Sequence, residues 1–152
     1  MSEKPIVPVV IDTNVLIPSI YSYTNIARFV YEGLLVLIWS NFTYREASEI
    51  IDRLAGYYMK KPGFRAEEAK VFLDYMVSVG RKVSDMPEDW PCVTKDRDDD
   101  NFLWAAIAGN AEYIITEDGS HMLALKEFRG IPIGTPKEFF RWVKQAHPMS
   151  KE

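Results

Sequence analysis

Four carboxylates fall where a single α/β layout would bring them together: Asp12, Glu46, Asp100 and Asp118. Asp12 directly follows the apolar, β-branched run Val9-Val10-Ile11, which reads as a buried strand. Ligands of open α/β sheets sit outside the carboxyl ends of the strands, so an acid at a strand tip stands where chemistry is done. Taken by itself, Asp12 is equally suited to capping the next helix. Glu46 lies in the first turns of the helix after the second strand, with Phe42 and Ile50 at i−4 and i+4. It therefore borders the buried face, where an unpartnered carboxylate is costly. Glu49 instead has Arg45 and Arg53 at those positions, the pattern of a solvent-face ladder.

The stretch Asp96-Arg97-Asp98-Asp99-Asp100 is the most unusual in the chain. Helix capping and the helix dipole account for one or two of its aspartates, not for four. Asp100 precedes Leu103 and Trp104 by three and four residues and is expected on the inward face. Asp99 is expected to cap the helix and to assist at the site, with Asp96 and Asp98 in the loop. Asp118 follows the compact strand Tyr113-Ile114-Ile115-Thr116 and precedes Gly119, so a turn and a site are equally good accounts of it. Asn14 and Thr116 are neutral polar groups beside these acids, able to orient a water or a phosphate oxygen.

Ligands that are all oxygen select hard cations, here Mg²⁺ or Mn²⁺. Without a cation, clustered acids raise one another's pKa. With one, they can activate water and neutralise charge on a phosphodiester. No serine or cysteine triad stands out. His121 and His147 are assigned structural roles, in a surface helix and near the tail. No GxxxxGK[ST] or GxGxxG occurs, which argues against P-loop and dinucleotide binding.

Strands are expected at 6–11, 34–39, 113–116 and 131–133, with a short edge strand at 81–84. Between them lie helices at 13–20, interrupted by Pro18, then 25–32, 41–60, 65–79 and 99–110. A short helix at 121–125 and a last one after Thr135 complete the series. Lys60-Lys61-Pro62-Gly63 reads as a turn. Alternation of this kind implies an α/β fold with a parallel sheet of about five strands between two helical layers. Ile131-Pro132-Ile133 is expected at the edge, because proline cannot complete a ladder. One domain spans 1–147, followed by a polar tail at 148–152.

The chain has 152 residues, 47% hydrophobic and 13% aromatic, which suits one globular core. No apolar run approaches the roughly 20 residues of a membrane span, and no membrane association is expected. The single cysteine, Cys92, forms no internal disulfide and points to a reducing cytoplasm. One Cys and two His leave little for a metal site built on sulfur or imidazole. The net charge of −4 is not the footprint of a strong nucleic-acid binder. If four of the 22 acids hold metal, however, the remaining 18 match the 18 basic residues.

Taken in order, these pieces resemble the PIN-domain family. They are Val10-Ile11-Asp12-Thr13-Asn14, Ser40 to Glu46, the Asp96–Leu103 block, Tyr113 to Asp118, and the closing Arg129-Gly-Ile-Pro-Ile with Thr135-Pro-Lys-Glu-Phe-Phe. The branch it is most similar to is the toxin component of prokaryotic toxin–antitoxin modules (VapC-like). The resemblance implies a three-layer α/β/α fold and Mg²⁺- or Mn²⁺-dependent cleavage of single-stranded RNA. It implies that Asp12, Glu46, Asp100 and Asp118 hold one or two ions, supported by Asn14 and Thr116, and that water attacks phosphorus in line. It further implies a homodimer and inhibition by a small antitoxin protein.

Two departures stand out. Family members commonly carry a small or basic residue after the strand's Thr, where this chain has Glu117. There is also no obvious basic groove; Lys95 and Arg97 are the leading RNA-contact candidates, ahead of Lys60, Lys61 and Arg65. A PIN-like module with little turnover, acting through a protein partner, is the competing reading. A response-regulator receiver domain would want paired acids after the first strand, and a dehalogenase-type phosphatase a DxD there; Asp12-Thr13-Asn14 supplies neither.

Overall fold

Val7, Val9 and Ile11 side with one hydrophobic cluster and Val10 with another, and all four are buried. A strand covered on both faces belongs in the middle of a sheet. The computed structural model, which describes residues 6–58 and 66–148, places it there. The elements run β1 (Val7–Ile11), α1 (Thr13–Ser22), α2 (Asn25–Tyr31), β2 (Leu35–Trp39), α3 (Asn41–Tyr58) and α4 (Ala66–Ser78). They continue with β3 (Arg81–Lys82), α5 (Arg97–Ala108), β4 (Tyr113–Ile115), β5 (Glu127–Phe128), β6 (Ile131–Gly134) and α6 (Pro136–Ala146).

The sheet order is β3-β2-β1-β4-β6-β5, parallel throughout except for the β5–β6 pair. From β1 the chain winds one way through β2 to β3, then returns to build β4 and β6 on the other side. The reversal opens a crevice beyond the carboxyl ends of β1 and β4, the switch point at which such sheets bind ligands. Register fixes what lies there. Ile11 pairs with Ile115, and the Asp12 amide donates to the Ile115 carbonyl at 2.9 Å. Asp12 and Thr116 therefore leave the sheet side by side.

Helices α1, α2, α3, α4 and α6 pack on one face around Leu16, Ile26, Ile51, Leu73 and Phe139. On the other face, α5 contributes Phe102, Leu103 and Ala106 to a cluster with Val10, Ile38 and Ile114. This is the three-layer α/β/α arrangement with a mostly parallel sheet. Among the described residues, no helix is long and apolar enough to cross a membrane.

Several expectations are corrected. Pro18 does not interrupt α1, because both Pro18 and Asn14, whose carbonyl loses its partner, are exposed and water can replace the missing bond. The sheet has six strands, not about five. The extra one, β5, is two residues long and is formed by a tight hairpin in which Arg129 (φ 51°) and Gly130 (φ 86°) are both left-handed. That hairpin takes the edge, so β6 is internal. Pro132 is tolerated because it faces Glu127 between the hydrogen-bonded pairs, while Ile133 donates to Lys126 at 2.9 Å. Helix α5 begins at Arg97 rather than Asp99, and Asp96 is its N-cap, accepting from the Asp98 amide at 3.0 Å. Only a 3₁₀ turn, Leu123–Leu125, stands where a short helix at 121–125 was expected. The turn at Lys60-Lys61-Pro62-Gly63, the candidate contacts Lys60, Lys61 and Arg65, and the tail beyond 148 lie outside the described residues.

Candidate active site

Asp12 occupies the N-cap position of α1, and its carbonyl accepts from the Val15 and Leu16 amides. Its side chain makes no cap hydrogen bond, although the nearby Thr13 and Asn14 amides favour its charge. Instead, Oδ2 accepts from the Thr116 hydroxyl at 2.8 Å. The same Thr116 oxygen accepts from the Asp118 amide at 3.0 Å. One threonine at the end of β4 thus aligns the acid after β1 and sets the turn that carries the acid after β4. Asn14 ties that turn down from the other side, its Oδ1 accepting from the Glu117 amide at 3.2 Å.

Glu46 reaches the site from α3. That helix starts where Ser40 and Thr43 cap each other, the Ser40 amide donating to Thr43 Oγ1 at 2.9 Å and the Thr43 amide to Ser40 Oγ at 3.3 Å. Glu46 Oε1 accepts from the buried Thr13 hydroxyl at 2.6 Å. The partner expected for this half-buried acid is therefore neutral on the protein side. Thr13 was not singled out in the sequence; its only signal was its place beside Asp12.

The aspartate run divides unexpectedly. Asp100 is fully buried and spends both oxygens on the preceding loop. Its Oδ1 accepts from the Thr94 amide and hydroxyl, each at 2.9 Å. Its Oδ2 accepts from the Val93 amide at 3.1 Å and from Arg97 Nη1 at 3.3 Å. Asp100 is inward, as expected, but its carboxylate is committed to holding the 92–97 loop. Asp99 takes the place at the site. It is not the helix cap; its Oδ2 lies 2.9 Å from His121 Nδ1 and it feels the charges of Asp12, Asp96 and Asp118.

His121 is the second residue that the sequence did not reveal. Its Nδ1 lies 3.4 Å from Asp118 Oδ2 as well, so the ring sits between two acids rather than on a surface helix. Asp118 Oδ1 accepts from the Ser120 amide and hydroxyl and from the His121 amide, at 3.1 to 3.3 Å. His147 has the structural role expected of it, with Nε2 2.5 Å from Glu112.

A profile of the PIN domain matches residues 8–120. The chain belongs to the PIN-domain family. In structure it is similar to PAE2754 from Pyrobaculum aerophilum, with a TM-score of 0.59 over 91% of each chain at 15% identity, a likeness of fold. No curated protein matches it in sequence. PIN domains are generally nucleases and generally use divalent metals, and this one carries an acidic cluster that fits such an ion.

The electrostatics of this PIN domain show the fit. Burial, together with the charge of Asp118, raises the Asp12 carboxyl above its ordinary range, against the hydrogen bond from Thr116. Burial, with Asp12, Asp98 and Asp96 nearby, raises Glu46 against the bond from Thr13. Burial, with Asp12, Asp96 and Asp118 around it, pushes Asp99 up to about 6 against the bond from His121. Asp118 alone goes the other way: despite burial, Ser120 and the His121 amide hold it below the usual carboxylate range. Three acids that resist ionising together form a site short of positive charge, and a divalent cation would supply it. Among the described residues, the donors of Asp96, Asp99 and His121 all lie within 4.8 Å of one another.

The surroundings divide the basic candidates. Arg97 is occupied by Asp100 and by the Glu88 carbonyl at 3.2 Å, whereas Lys95 is exposed. Arg45 and Arg53 do not form the expected ladder with Glu49: among the described residues none of the three makes an ion pair. All three line a cleft of about 390 Å³ beside Glu46, together with Phe42, Ile50 and Asp98. Glu117 is exposed, in a separate cleft that it shares with Asn14 and Phe140.

Proposed function

We propose that this PIN domain is a Mg²⁺- or Mn²⁺-dependent endoribonuclease that cleaves single-stranded RNA in the cytoplasm, as the toxin of a toxin–antitoxin pair. One observation carries the reading. Asp12, Glu46 and Asp99 converge at the switch point of a PIN fold, and each has its pKa raised by burial and by its neighbours. Residues that hold structure only have no need of that repulsion.

Asp12, Glu46, Asp99 and Asp118 would hold the ion; Asp99 thus replaces Asp100 in the ligand set expected from the sequence. A divalent cation there neutralises charge on a phosphodiester and lowers the pKa of water. The protein does the orienting. Thr116 fixes Asp12 and the Asp118 turn, Thr13 fixes Glu46, and Asp100 fixes the loop from which α5 presents Asp99. Arg45 and Arg53, which line the cleft beside Glu46, would take the phosphates flanking the scissile bond, with Lys95 as a further contact. Base stacking on Phe42 in the same cleft suits an unpaired strand better than a duplex.

The homodimer and the antitoxin follow from the resemblance. An exposed patch of Tyr31, Val71 and Tyr75 on α2 and α4, away from the site, supports self-association. The test of the activity is cleavage of labelled single-stranded RNA, single-stranded DNA and duplex RNA in Mn²⁺ or Mg²⁺. The reading predicts cuts in the first substrate that stop with EDTA. No metal-dependent cleavage of several RNAs would favour the binding module that acts through a partner.

A further inference from the structure

His121 has no part in the ligand set above, yet its Nδ1 lies 2.9 Å from Asp99 Oδ2. Its backbone is held on both sides. The His121 amide donates to Asp118 Oδ1 at 3.3 Å, the Leu123 amide donates to the Asp118 carbonyl at 2.9 Å, and Met122 between them is fully buried. The imidazole is therefore presented by a pinned turn rather than by a free surface side chain.

The distances suit shared coordination. Two ligand atoms on adjacent corners of an octahedron with bonds of about 2.1 Å lie about 3.0 Å apart. His121 Nδ1 is 2.9 Å from Asp99 Oδ2 and 3.4 Å from Asp118 Oδ2. The same nitrogen, an Asp99 oxygen and an Asp96 oxygen all fall within 4.8 Å of one another. One nitrogen and several carboxylate oxygens are thus close enough to share a single cation.

We propose that His121 is a nitrogen ligand of the divalent ion held at Asp99, and that it tilts the site toward Mn²⁺ over Mg²⁺. The proposal rests on the metal-site reading given under the proposed function. Mg²⁺ keeps to oxygen donors and gives up its waters reluctantly, so an imidazole in its shell is a poor exchange. First-row ions accept imidazole readily, and histidine is the commonest protein ligand to them. An imidazolium that merely neutralised Asp99 and Asp118 would be pushed aside by the incoming charge and would leave no metal–nitrogen bond.

The test is pulsed EPR on the Mn²⁺-loaded full chain, with Mn²⁺ and Mg²⁺ affinities measured in parallel by calorimetry. Directly bound imidazole gives a ¹⁴N coupling, and with two histidines in the chain it can be assigned. The coupling is expected in the wild type and lost in His121→Ala and His121→Asp, both of which still bind Mn²⁺. His121→Ala should weaken Mn²⁺ about tenfold and Mg²⁺ much less, the scale on which loss of one metal-site partner is felt. His121→Asp should restore affinity while shifting the preference toward Mg²⁺. Bound Mn²⁺ without a ¹⁴N coupling, or a coupling that survives His121→Ala, overturns the ligand role and leaves the metal site standing. A wild type that binds no Mn²⁺ overturns both.

Discussion

The Thr13 hydroxyl donates to Glu46 Oε1 at 2.6 Å, linking the first residue of α1 to the sixth of α3. This bond fixes which Glu46 oxygen is left to face a cation. Thr13→Val keeps the volume and removes the donor. Metal affinity should fall roughly tenfold, as for other partners that orient a ligand. Calorimetric Mn²⁺ titration checks this; affinity equal to wild type would show that Glu46 is not held for a metal.

Asp100 and Asp99 are adjacent in the chain and should respond in opposite directions. Asp100→Asn sets an NH₂ among the Val93, Thr94 and Arg97 donors and removes the fully buried charge that pairs with the partly exposed Arg97. It should lower folding stability by about 3 kcal/mol. Asp99→Asn relieves repulsion and should stabilise the metal-free protein at neutral pH. Urea melts in EDTA at pH 7.5 separate the two.

Asp99 also predicts a pH dependence. Its folded pKa of about 6 lies above the ordinary 3.8, so between those values the folded protein keeps a proton that the unfolded chain has lost. The Asp99 contribution to stability in EDTA should therefore fall as pH rises from about 4 to about 6. The full shift would correspond to about 3 kcal/mol; at this partly open site, screening reduces that to roughly 1–2 kcal/mol. His121 acts in the same sense, since its bond to Asp99 raises its pKa and that stability is lost as pH rises through the raised value. Asp118, held low, acts in the opposite sense and matters only as pH falls below 3.8. Melts of Asp99→Asn across the same range should lose this slope.

Arg45 and Arg53 line the cleft beside Glu46 and, among the described residues, make no ion pair. Arg45→Gln with Arg53→Gln should weaken RNA binding about tenfold and lower the salt slope by roughly 1 to 2, leaving the melting curve unchanged. Filter binding in Ca²⁺ at several salt concentrations reads both quantities. An unchanged slope would move the RNA track elsewhere on the surface.

The strands around the site were legible because β1, β2 and β4 are apolar runs followed by polar residues; their order in the sheet came only with the structure. Asp12 and Asp118 could be picked out from the strand tips, and Glu46 from its apolar neighbours Phe42 and Ile50 on α3. The choice between Asp99 and Asp100 could not. Neighbours on a helix point about 100° apart, and the start of α5 lies two residues earlier than its apolar pattern suggests. Asp100 was correctly read as inward, but inward here means toward a loop it holds, not toward the sheet tips. His121 and Thr13 were hidden for another reason. Each is placed by a turn or a first helical residue beside a site acid, where adjacency in the chain says nothing of side-chain direction. The strand β5 was hidden by its length of two residues.

The most direct test is single-turnover cleavage of labelled single-stranded RNA in Mn²⁺ by wild type, Asp99→Asn and Thr116→Val, each shown to be folded. The account predicts cleavage by the wild type that EDTA abolishes, a loss of at least about a hundredfold in Asp99→Asn, and an intermediate loss in Thr116→Val. Cleavage by Asp99→Asn at the wild-type rate, or activity indifferent to EDTA, would contradict it.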